Sequence, residues 1–272
     1  VVRLPAIGYT FDTQQLFWLT AMPGLAGGTL RIIHMFLIPL YGTRHVITWS
    51  VFLKLIPCIG LAMAVMNPST PWSVFMVLAF LSGFGGGDFS SYMPSTSQFF
   101  PKRLQGTALG IQAGIGNFGV SLVQVVTPWI VSFAAFGLIS SGSQTFTRGE
   151  QSQPIWLQNA TLWMIPFLLV IGVVAWTQLR SIPIKASFKE QLDIFQDKHT
   201  WLMTSLYIMT FGSFSGFSAA FPMLIKSCYG GFEGAPDPLK FAWLGPLVGS
   251  LIRVVGGPIS DKIGGSVITL IS

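Results

Sequence analysis

Seven apolar runs, each long enough to cross a lipid bilayer as a helix, constrain the fold of this chain more than any other feature. The hydrocarbon core of a bilayer is about 30 Å thick, and a helix needs roughly 20 apolar residues to cross it. The runs cover residues 14–41, 46–66, 72–100, 104–136, 156–179, 200–226 and 239–258, and another run opens near residue 266. We therefore expect an all-α polytopic membrane protein.

The composition agrees with this expectation and argues against other classes of protein. Hydrophobic residues make up 51% of the 272 residues and charged residues only 9%, which is unusual for a soluble domain. The net charge of +6 therefore bears on orientation and on lipid headgroups, and we expect no nucleic-acid partner. The sequence contains no metal-ligand cluster, no nucleophile with a base at useful spacing and no phosphate loop. We expect neither an enzyme nor a cofactor.

The distribution of basic residues between the loops predicts the orientation of the helices. One set of alternate loops carries eight of them: Arg44, Lys102, Arg103, Arg180, Lys185, Lys189, Lys198 and Lys262. The other set carries four: Arg3, Arg148, Lys226 and Lys240. Cytoplasmic loops carry an excess of Lys and Arg, so the first set is expected to face the cytoplasm.

Residues 180–199 form the longest charged stretch and lie on the predicted cytoplasmic side. We expect this stretch to connect an N-terminal helical half, 1–179, to the beginning of a C-terminal half, 200–272. Apolar residues recur within it at i, i+4 and i+7, which predicts an amphipathic helix along the membrane surface. Those residues are Phe188, Leu192 and Phe195.

Two stretches separated by 222 residues (253 − 31) are similar to each other. The stretch GGTLRIIHMFLIPLYGTRHVIT surrounds Arg31, and GSLIRVVGGPISDKIGGSVIT surrounds Arg253. In each, a glycine (Gly42 or Gly264) follows the arginine eleven residues later, and the stretch closes on Val-Ile-Thr. The separation implies two homologous halves of a chain roughly twice as long. Both repeats end on the cytoplasmic side, so the halves are parallel repeats, as in major facilitator transporters.

Both arginines are predicted to lie deep in the membrane. At about 1.5 Å per residue, each lies roughly 16 Å from its cytoplasmic loop glycine, near the middle of the bilayer. A charge at this depth is costly unless it faces a wet cavity or a partner, so such arginines are candidates for a functional site. Structural ion pairs would require two acids at the same depth, and Asp88 is the one acid that the sequence offers. We therefore interpret Arg31 and Arg253 as an anion-binding site.

Four further residues are predicted near the same depth, and they suit a planar, weakly hydrated anion. Phe89, Asn117 and Phe211 fall near mid-depth, and Tyr207 falls slightly nearer the cytoplasm. Guanidinium groups present forked donors to oxyanions, the amide and the hydroxyl add neutral hydrogen bonds, and two phenyl rings can sandwich a flat ion. Ordinary packing remains the alternative for each phenylalanine.

Glycines are dense between residues 83 and 119, which are otherwise strongly apolar. The later ones lie on or near one face of the predicted helix: Gly106, Gly110, Gly114, Gly116 and Gly119. Glycine at such spacing lets the backbones of two helices approach closely, and a small central cavity requires that approach. Plain helix packing is the alternative that the spacing leaves open.

Four motifs together resemble the nitrate/nitrite porter family of the major facilitator superfamily, over essentially the whole chain. They are GFGGGDFSSYMPSTSQFFPK at 83–102, TALGIQAGIGNFGVS at 107–121, YIMTFGSFSGFSAAF at 207–221 and GGPISDKIGG at 256–265. The resemblance implies a major facilitator fold in the bacterial inner membrane, with the lipid bilayer, nitrate and nitrite as partners, and we expect a monomer. It also implies a fragment that covers about helices 2–8 and the start of helix 9 of 12.

The resemblance also implies roles for particular residues. Arg31 and Arg253 match the two substrate-clamping arginines of the family, one from each half. The other matched positions are Asn117 and Tyr207 as polar contacts, Phe89 and Phe211 as aromatic plates, and Gly110, Gly114, Gly116 and Gly119 as signature glycines. No metal site is implied.

Two residues depart from the pattern of the family. Asp88 stands where a neutral asparagine is common, and His34 lies one helical turn from Arg31. Asp88 is interpreted either as a proton-coupling acid or as an ion-pair partner that holds Arg31 or Arg253. His34 is interpreted either as a proton carrier or as a histidine satisfied by a neighbour.

The expected mechanism is alternating access, either as nitrate/nitrite antiport or as proton-coupled nitrate symport. A carrier of another small anion within the same fold is the first alternative. A membrane-embedded anion sensor without transport is the second.

Overall fold

The computed structural model describes residues 1, 3–135, 142–148, 151–181, 188–232, 234–235 and 237–271. Its α-helices are α1 (Thr13–Tyr41), α2 (Thr43–Leu53), α3 (Leu55–Met66), α4 (Trp72–Ser82), α5 (Phe84–Gly87), α6 (Phe89–Phe99), α7 (Gln105–Ile130), α8 (Asn159–Leu162), α9 (Met164–Gln178), α10 (Phe188–Gln191), α11 (Lys198–Tyr229), α12 (Pro238–Phe241), α13 (Leu244–Ile263) and α14 (Gly265–Ile271). Short 3-10 helices cover Pro5–Ile7, Lys102–Leu104 and Leu192–Gln196.

Among the described residues, seven helical stretches are long and apolar enough to cross a membrane, which confirms the predicted all-α polytopic class. They are Thr13–Tyr41, Thr43–Met66, Trp72–Phe99, Lys102–Ile130, Asn159–Gln178, Lys198–Tyr229 and Pro238–Ile263. Each stretch exposes many large apolar side chains, as expected for surfaces that face lipid chains.

The fourth stretch ends at Ile130, whereas the apolar run predicted a helix to residue 136. The side-chain amide of the fully buried Asn159 donates to the carbonyl oxygens of Ile130 (3.3 Å) and Phe133 (3.0 Å). The backbone N–H of Trp156 donates to the carbonyl of Val131 at 2.8 Å. These bonds satisfy carbonyls that a longer helix would have used, so the helix stops and the chain turns.

A two-stranded antiparallel hairpin follows the fourth stretch, between the predicted apolar runs 104–136 and 156–179. Strand β1 (Gln144–Arg148) pairs with β2 (Gln151–Ile155), and Gln144 lies opposite Ile155. Ile155 is almost fully buried. The hairpin therefore packs its last residue into the protein and is not a free loop.

Two of the spanning stretches are interrupted in the middle, at residues that become important in the site. Lys54 separates α2 from α3, and Pro57 lies three residues further on. Proline has no backbone N–H and its ring crowds the carbonyl four residues earlier, so the helix is weakened at residue 53. Gly83 separates α4 from α5, and Asp88 separates α5 from α6.

The two arginine-bearing helices of the sequence repeat end in the same way. Gly42 follows α1 with φ 79° and ψ 154°, and Gly264 follows α13 with φ 94° and ψ 141°. Glycine adopts positive φ without the steric cost that a Cβ imposes, so both helices end just before the glycine that lies eleven residues after their arginine. The predicted match between Gly42 and Gly264 thus corresponds to a shared local structure.

The connector lies partly outside the described residues, which leave out 182–187. Its described part is helical but short, because one α-helical turn, α10, runs into the 3-10 helix Leu192–Gln196. Phe188, Leu192 and Phe195 are exposed, and the ring of Phe188 also lies 5.0 Å from that of Phe36 in α1.

Buried side chains gather near the start of α1. The members of this cluster are Leu4, Tyr9, Leu16, Leu19, Ala64, Phe75, Leu78, Ala79 and Met223. The hydroxyl of Tyr9 donates to the carbonyls of Ala64 (2.9 Å) and Asn67 (2.8 Å), and burial raises the pKa of this phenol. The cluster ties the segment before α1 to the turn between α3 and α4.

Candidate functional site

Arg31 lies in the middle of α1, where the backbone of α1 touches the glycine run of α5. A Cβ on Gly27 would lie 3.1 Å from the carbonyl oxygen of Gly83 and 3.2 Å from the Cα of Gly86. This contact brings the carbonyl of Gly86 within reach of the arginine, whose Nε donates to it at 3.1 Å. Glycine is required here because any side chain would separate the two backbones.

Three aromatic rings surround the guanidinium of Arg31. Its central carbon lies 4.2 Å from the ring centroid of Phe211, 5.0 Å from that of Phe89 and 5.7 Å from that of Tyr207. Its Nη1 also donates to the Tyr207 hydroxyl at 3.1 Å. Phe89 belongs to α6, whereas Tyr207 and Phe211 lie one turn apart on α11. Helices that are distant in sequence therefore meet at this arginine.

Arg253 reaches the same pair of phenyl rings from α13. Its guanidinium carbon lies 6.0 Å from the ring centroid of Phe89 and 6.0 Å from that of Phe211. The part of the chain that the structure describes gives its side chain no hydrogen bond and no ion pair. Five of the predicted site residues thus converge: Arg31, Arg253, Phe89, Tyr207 and Phe211.

The two phenyl rings contact each other, which differs from the predicted sandwich around a flat ion. The centroids of Phe89 and Phe211 are 5.6 Å apart with an interplanar angle of 23°, and the Tyr207 ring stacks on Phe211 at 5.2 Å and 3°. A flat ion between two rings needs a separation of about 7 Å, twice the usual contact distance. In this arrangement the rings cover the guanidinium groups instead.

Asp88 forms an ion pair, but with Lys54 and not with Arg31 or Arg253 as predicted. Its Oδ2 lies 2.5 Å from Nζ of Lys54 and accepts hydrogen bonds from Ser50 Oγ (2.9 Å) and Tyr92 Oη (2.7 Å). The side chain of Asp88 is 1% exposed and that of Lys54 is 22% exposed. Ser50 of α2 and Lys54, which follows α2, approach this oxygen from the second spanning stretch, and Tyr92 approaches it from α6.

Lys54 is the residue that the sequence analysis missed. It lies twelve residues after Gly42 (54 − 42), inside the second apolar run. At about 1.5 Å per residue this places it roughly 18 Å from the loop, about as deep as the two arginines. A single charged residue in an apolar span is itself a signal for a functional or paired site, and that signal was available in the sequence.

Two predicted site residues lie outside the convergence. Asn117 is buried in α7, and no hydrogen bond joins its amide to either arginine within the described residues. His34 lies in α1, where its Nδ1 is 3.0 Å from the hydroxyl of Ser91, which donates in turn to the carbonyl of His34 at 3.1 Å. His34 thus contacts a neighbouring side chain, which agrees with the interpretation of a histidine satisfied by a neighbour.

The signature glycines divide into two groups. A Cβ on Gly110 would lie 2.9 Å from the Cα of Gly257 and 3.1 Å from the carbonyl oxygen of Arg253, and one on Gly114 would lie 2.9 Å from the carbonyl oxygen of Ser250. These glycines therefore form the seam between α7 and α13 and set the position of the arginine-bearing helix. A Cβ on Gly116 or Gly119 would meet nothing within 4 Å, so these two glycines take no part in the seam.

Polar contacts hold α7 to its neighbours at both ends of this seam. Near the start of α7, Asp261 accepts hydrogen bonds from the backbone N–H of Gly106 (2.8 Å), the N–H of Thr107 (2.7 Å) and the Thr107 hydroxyl (2.6 Å). Toward its other end, the Ser121 hydroxyl donates to the carbonyl of Trp243 at 2.5 Å. The seam between α7 and α13 is thus held by polar contacts near both of its ends.

Comparison with known proteins places this arrangement in a family. The model of the Major Facilitator Superfamily matches residues 4–272. The chain is 67% identical over 273 residues to the probable nitrate/nitrite antiporter NarK2 of Thermus thermophilus, a match that covers all of this chain and 62% of that protein. It is 42% identical over 274 residues to the nitrate/nitrite transporter NarU of Escherichia coli strain K12, covering all of this chain and 57% of that protein.

A more distant relative is the nitrite extrusion protein of Bacillus subtilis strain 168, at 27% identity over 249 residues, which are 90% of this chain and 55% of that protein. The chain spans only about three fifths of the first two relatives, 62% and 57% of their lengths. The superfamily match nonetheless extends over nearly the whole chain, and it accords with the seven membrane-spanning stretches. This multi-pass membrane chain belongs to the Major Facilitator Superfamily.

Proposed function

We propose that the protein containing this chain moves nitrate, nitrite or both across the bacterial inner membrane by alternating access. One observation carries the proposal: two guanidinium groups, from the two copies of a sequence repeat, converge on the same two phenyl rings without an acidic partner among the described residues. The relatives named for nitrate and nitrite support the choice of anion. The site residues proposed to bind it are Arg31, Arg253, Tyr207, Phe89, Phe211 and Asn117.

The chemistry of the site suits a planar oxyanion. Guanidinium groups offer pairs of parallel N–H donors that match two oxygens of one anion, and Tyr207 adds a hydroxyl next to Arg31. Aromatic faces hold the arginines in place through cation–π contacts without neutralising their charge. An anion that enters this apolar surrounding therefore gains the full attraction of two charges.

Binding requires a rearrangement of the rings. Phe89 and Phe211 stand 5.6 Å apart, and an anion placed between them needs about 7 Å. We propose that the anion takes the place of the rings at the guanidinium groups and separates Phe89 on α6 from Phe211 on α11. Such a separation couples occupancy of the site to a relative movement of the helices that carry the rings.

The proposed movement is a rocking of two halves, 1–179 and 200–272, joined by the connector 180–199. Two guanidinium charges without an anion repel each other and resist closure of the site around them. A bound anion relieves that repulsion, so the loaded carrier crosses more readily than the unloaded one. This difference favours exchange of nitrate for nitrite by a monomer.

Proton coupling is the alternative mode of the same carrier. Asp88 is engaged by Lys54 and His34 by Ser91, so neither titratable group contacts the two arginines among the described residues. This arrangement favours exchange over symport. In a proton-coupled carrier, nitrate uptake would depend on an imposed pH gradient. In an exchanger, nitrate uptake depends on which anion is present inside the vesicle.

The test is nitrate uptake into proteoliposomes that contain the complete carrier, loaded with nitrite, with chloride or with sulfate. Exchange predicts rapid uptake with nitrite inside and little uptake with the other two anions, at equal pH on both sides. Equal uptake with chloride or sulfate inside would indicate a carrier of broader anion selectivity and contradict the proposal. Saturable nitrate binding without uptake in any vesicle would indicate a sensor and would also contradict it.

A further inference from the structure

The buried ion pair between Lys54 and Asp88 stands next to the arginine site, and the function proposed above gives it no role in anion binding. Asp88 lies two residues after Gly86, whose carbonyl accepts a hydrogen bond from Arg31, and directly before Phe89, whose ring faces both arginines. A carboxylate in this position would compete with the substrate for the two guanidinium groups. Its charge therefore matters to anion binding even without a direct contact.

We propose that Lys54 is a positioning residue that keeps the Asp88 carboxylate turned away from the two arginines and cancels its charge. The site then presents two net positive charges to the substrate instead of one. The inference rests on the proposed anion transport, because it assigns a role in the selectivity and affinity of that same site. It assigns the lysine no direct contact with the anion.

The geometry supports a fixed pair and not a chance approach of two long side chains. Lys54 and Asp88 are both the residues at which their spanning stretches are interrupted, one between α2 and α3 and the other between α5 and α6. Ser50 and Tyr92 donate to the same carboxylate oxygen as the lysine, at 2.9 and 2.7 Å. The carboxylate of Asp88 is therefore held by side chains of both α2 and α6.

The aliphatic stem of Lys54 also lies against the glycine run. A Cβ on Gly85 would be 3.5 Å from Cε of Lys54. On the other side of the same turn, a Cβ on Gly87 would be 3.4 Å from Cδ2 of His34. Residues 85–87 have no side chains of their own, so these contacts and the ion pair determine how the turn presents the Gly86 carbonyl and the Phe89 ring.

The groups that face Asp88 can be named from every element around it. Lys54 and Ser50 approach from the second spanning stretch, Tyr92 from its own helix, and His34 of α1 lies beside Gly87. Lys54 is the only one of these groups that makes an ion pair with Asp88 in the part of the chain that the structure describes. Removing it leaves the carboxylate without a cationic partner close to the two arginines.

Removing one charge of the pair at a time is expected to change the KM in opposite directions. Lys54→Met leaves the negative charge of Asp88 uncompensated beside the site, where it repels the anion, and we expect the KM for nitrate to rise roughly tenfold. Asp88→Asn leaves the lysine charge without its counter-ion and lowers the KM several-fold. The double variant Lys54→Met/Asp88→Asn removes both charges and returns the KM close to that of the unmutated carrier.

The experiment is nitrate/nitrite exchange by the complete carrier in proteoliposomes, with the KM and the maximal rate determined for each variant and rates normalised to folded protein. Lys189→Met is the matched control, since it removes an exposed lysine from the connector and leaves the site untouched. Its KM is expected to stay within about twofold, because salt screens exposed charges. The pH dependence of exchange is measured in parallel for Asp88→Asn.

The outcomes separate the inference from its alternatives. If both single variants yield less folded protein but keep an unchanged KM, the pair is purely structural, and the inference is overturned. Loss of pH dependence in Asp88→Asn, without a lower KM, would assign the pair to proton coupling and overturn it as well. If Lys54→Met does not fold, the lower KM predicted for Asp88→Asn carries the test. Absence of nitrate flux in the unmutated carrier would instead refute the proposed function itself.

Discussion

The guanidinium carbon of Arg31 lies 4.2 Å from the centroid of the Phe211 ring, although the two residues come from the first and the sixth membrane-spanning stretches. A phenyl face attracts a cation without neutralising it, so Arg31 keeps its charge while it is held in position. Arg253 approaches the same ring at 6.0 Å. Phe211 thus links two charges that would otherwise repel each other in an apolar surrounding.

The hydroxyl of Tyr207 is expected to contribute to anion affinity through Arg31. Tyr207→Phe removes the acceptor at 3.1 Å from Nη1 and keeps the ring that stacks on Phe211. A hydrogen bond to a charged group contributes about 1.5–3 kcal/mol, so we predict an increase of about tenfold in the KM for nitrate with a similar maximal rate. Tyr41→Phe, at the exposed end of α1, serves as the control. An unchanged KM in Tyr207→Phe would remove this residue from the site.

The seam between α7 and α13 predicts different effects for two glycines of the same motif. In Gly110→Ala the new methyl group would stand 2.9 Å from the Cα of Gly257, so backbones must separate. Overpacking of this kind costs about 1–3 kcal/mol, and we expect a lower melting temperature and reduced exchange. Gly116→Ala meets nothing within 4 Å and is expected to be neutral or slightly stabilising, because alanine favours the helix. Equal effects of the two substitutions would contradict the assignment of the seam.

Asp261 is expected to hold that seam together near the start of α7. Its carboxylate accepts two backbone N–H groups and one hydroxyl at the start of α7, where the helix dipole also favours a negative charge. Asp261→Asn removes the charge and one acceptor oxygen, so we predict a lower melting temperature of the carrier in detergent. Asp12→Asn is the control, because asparagine caps a helix about as well as aspartate and Asp12 caps only its own helix. Equal melting temperatures for the two variants would contradict this role.

The sequence predicted the spanning helices well, because they follow from the length of the apolar runs. The match between Gly42 and Gly264 was also visible in the sequence, and it corresponds to the shared ends of α1 and α13. The seam at Gly110 and Gly114 followed from the spacing of small residues in the same way.

The failures concern choices between partners that are distant in sequence. Predicted depth suggested an arginine as the ion-pair partner of Asp88, but the carboxylate pairs with Lys54. The prediction failed because helix packing decides which helix faces Asp88. The stacking of Phe89 on Phe211 depends on the distance between two helices, which no local pattern encodes. The hairpin that ends on Ile155 was missed because its strands are polar and short.

The most direct test of the central claim is nitrate/nitrite exchange in proteoliposomes by the complete carrier with Arg31→Lys and, separately, Arg253→Lys. Lysine keeps the charge but loses the forked donors and the flat face that lies on the rings, so each variant is predicted to lose exchange by roughly a hundredfold. Arg103→Lys, in the short 3-10 helix Lys102–Leu104 where the side chain is exposed, is expected to exchange at the unmutated rate. Exchange that survives in either Arg31→Lys or Arg253→Lys would contradict a two-arginine clamp and place the anion elsewhere in the carrier.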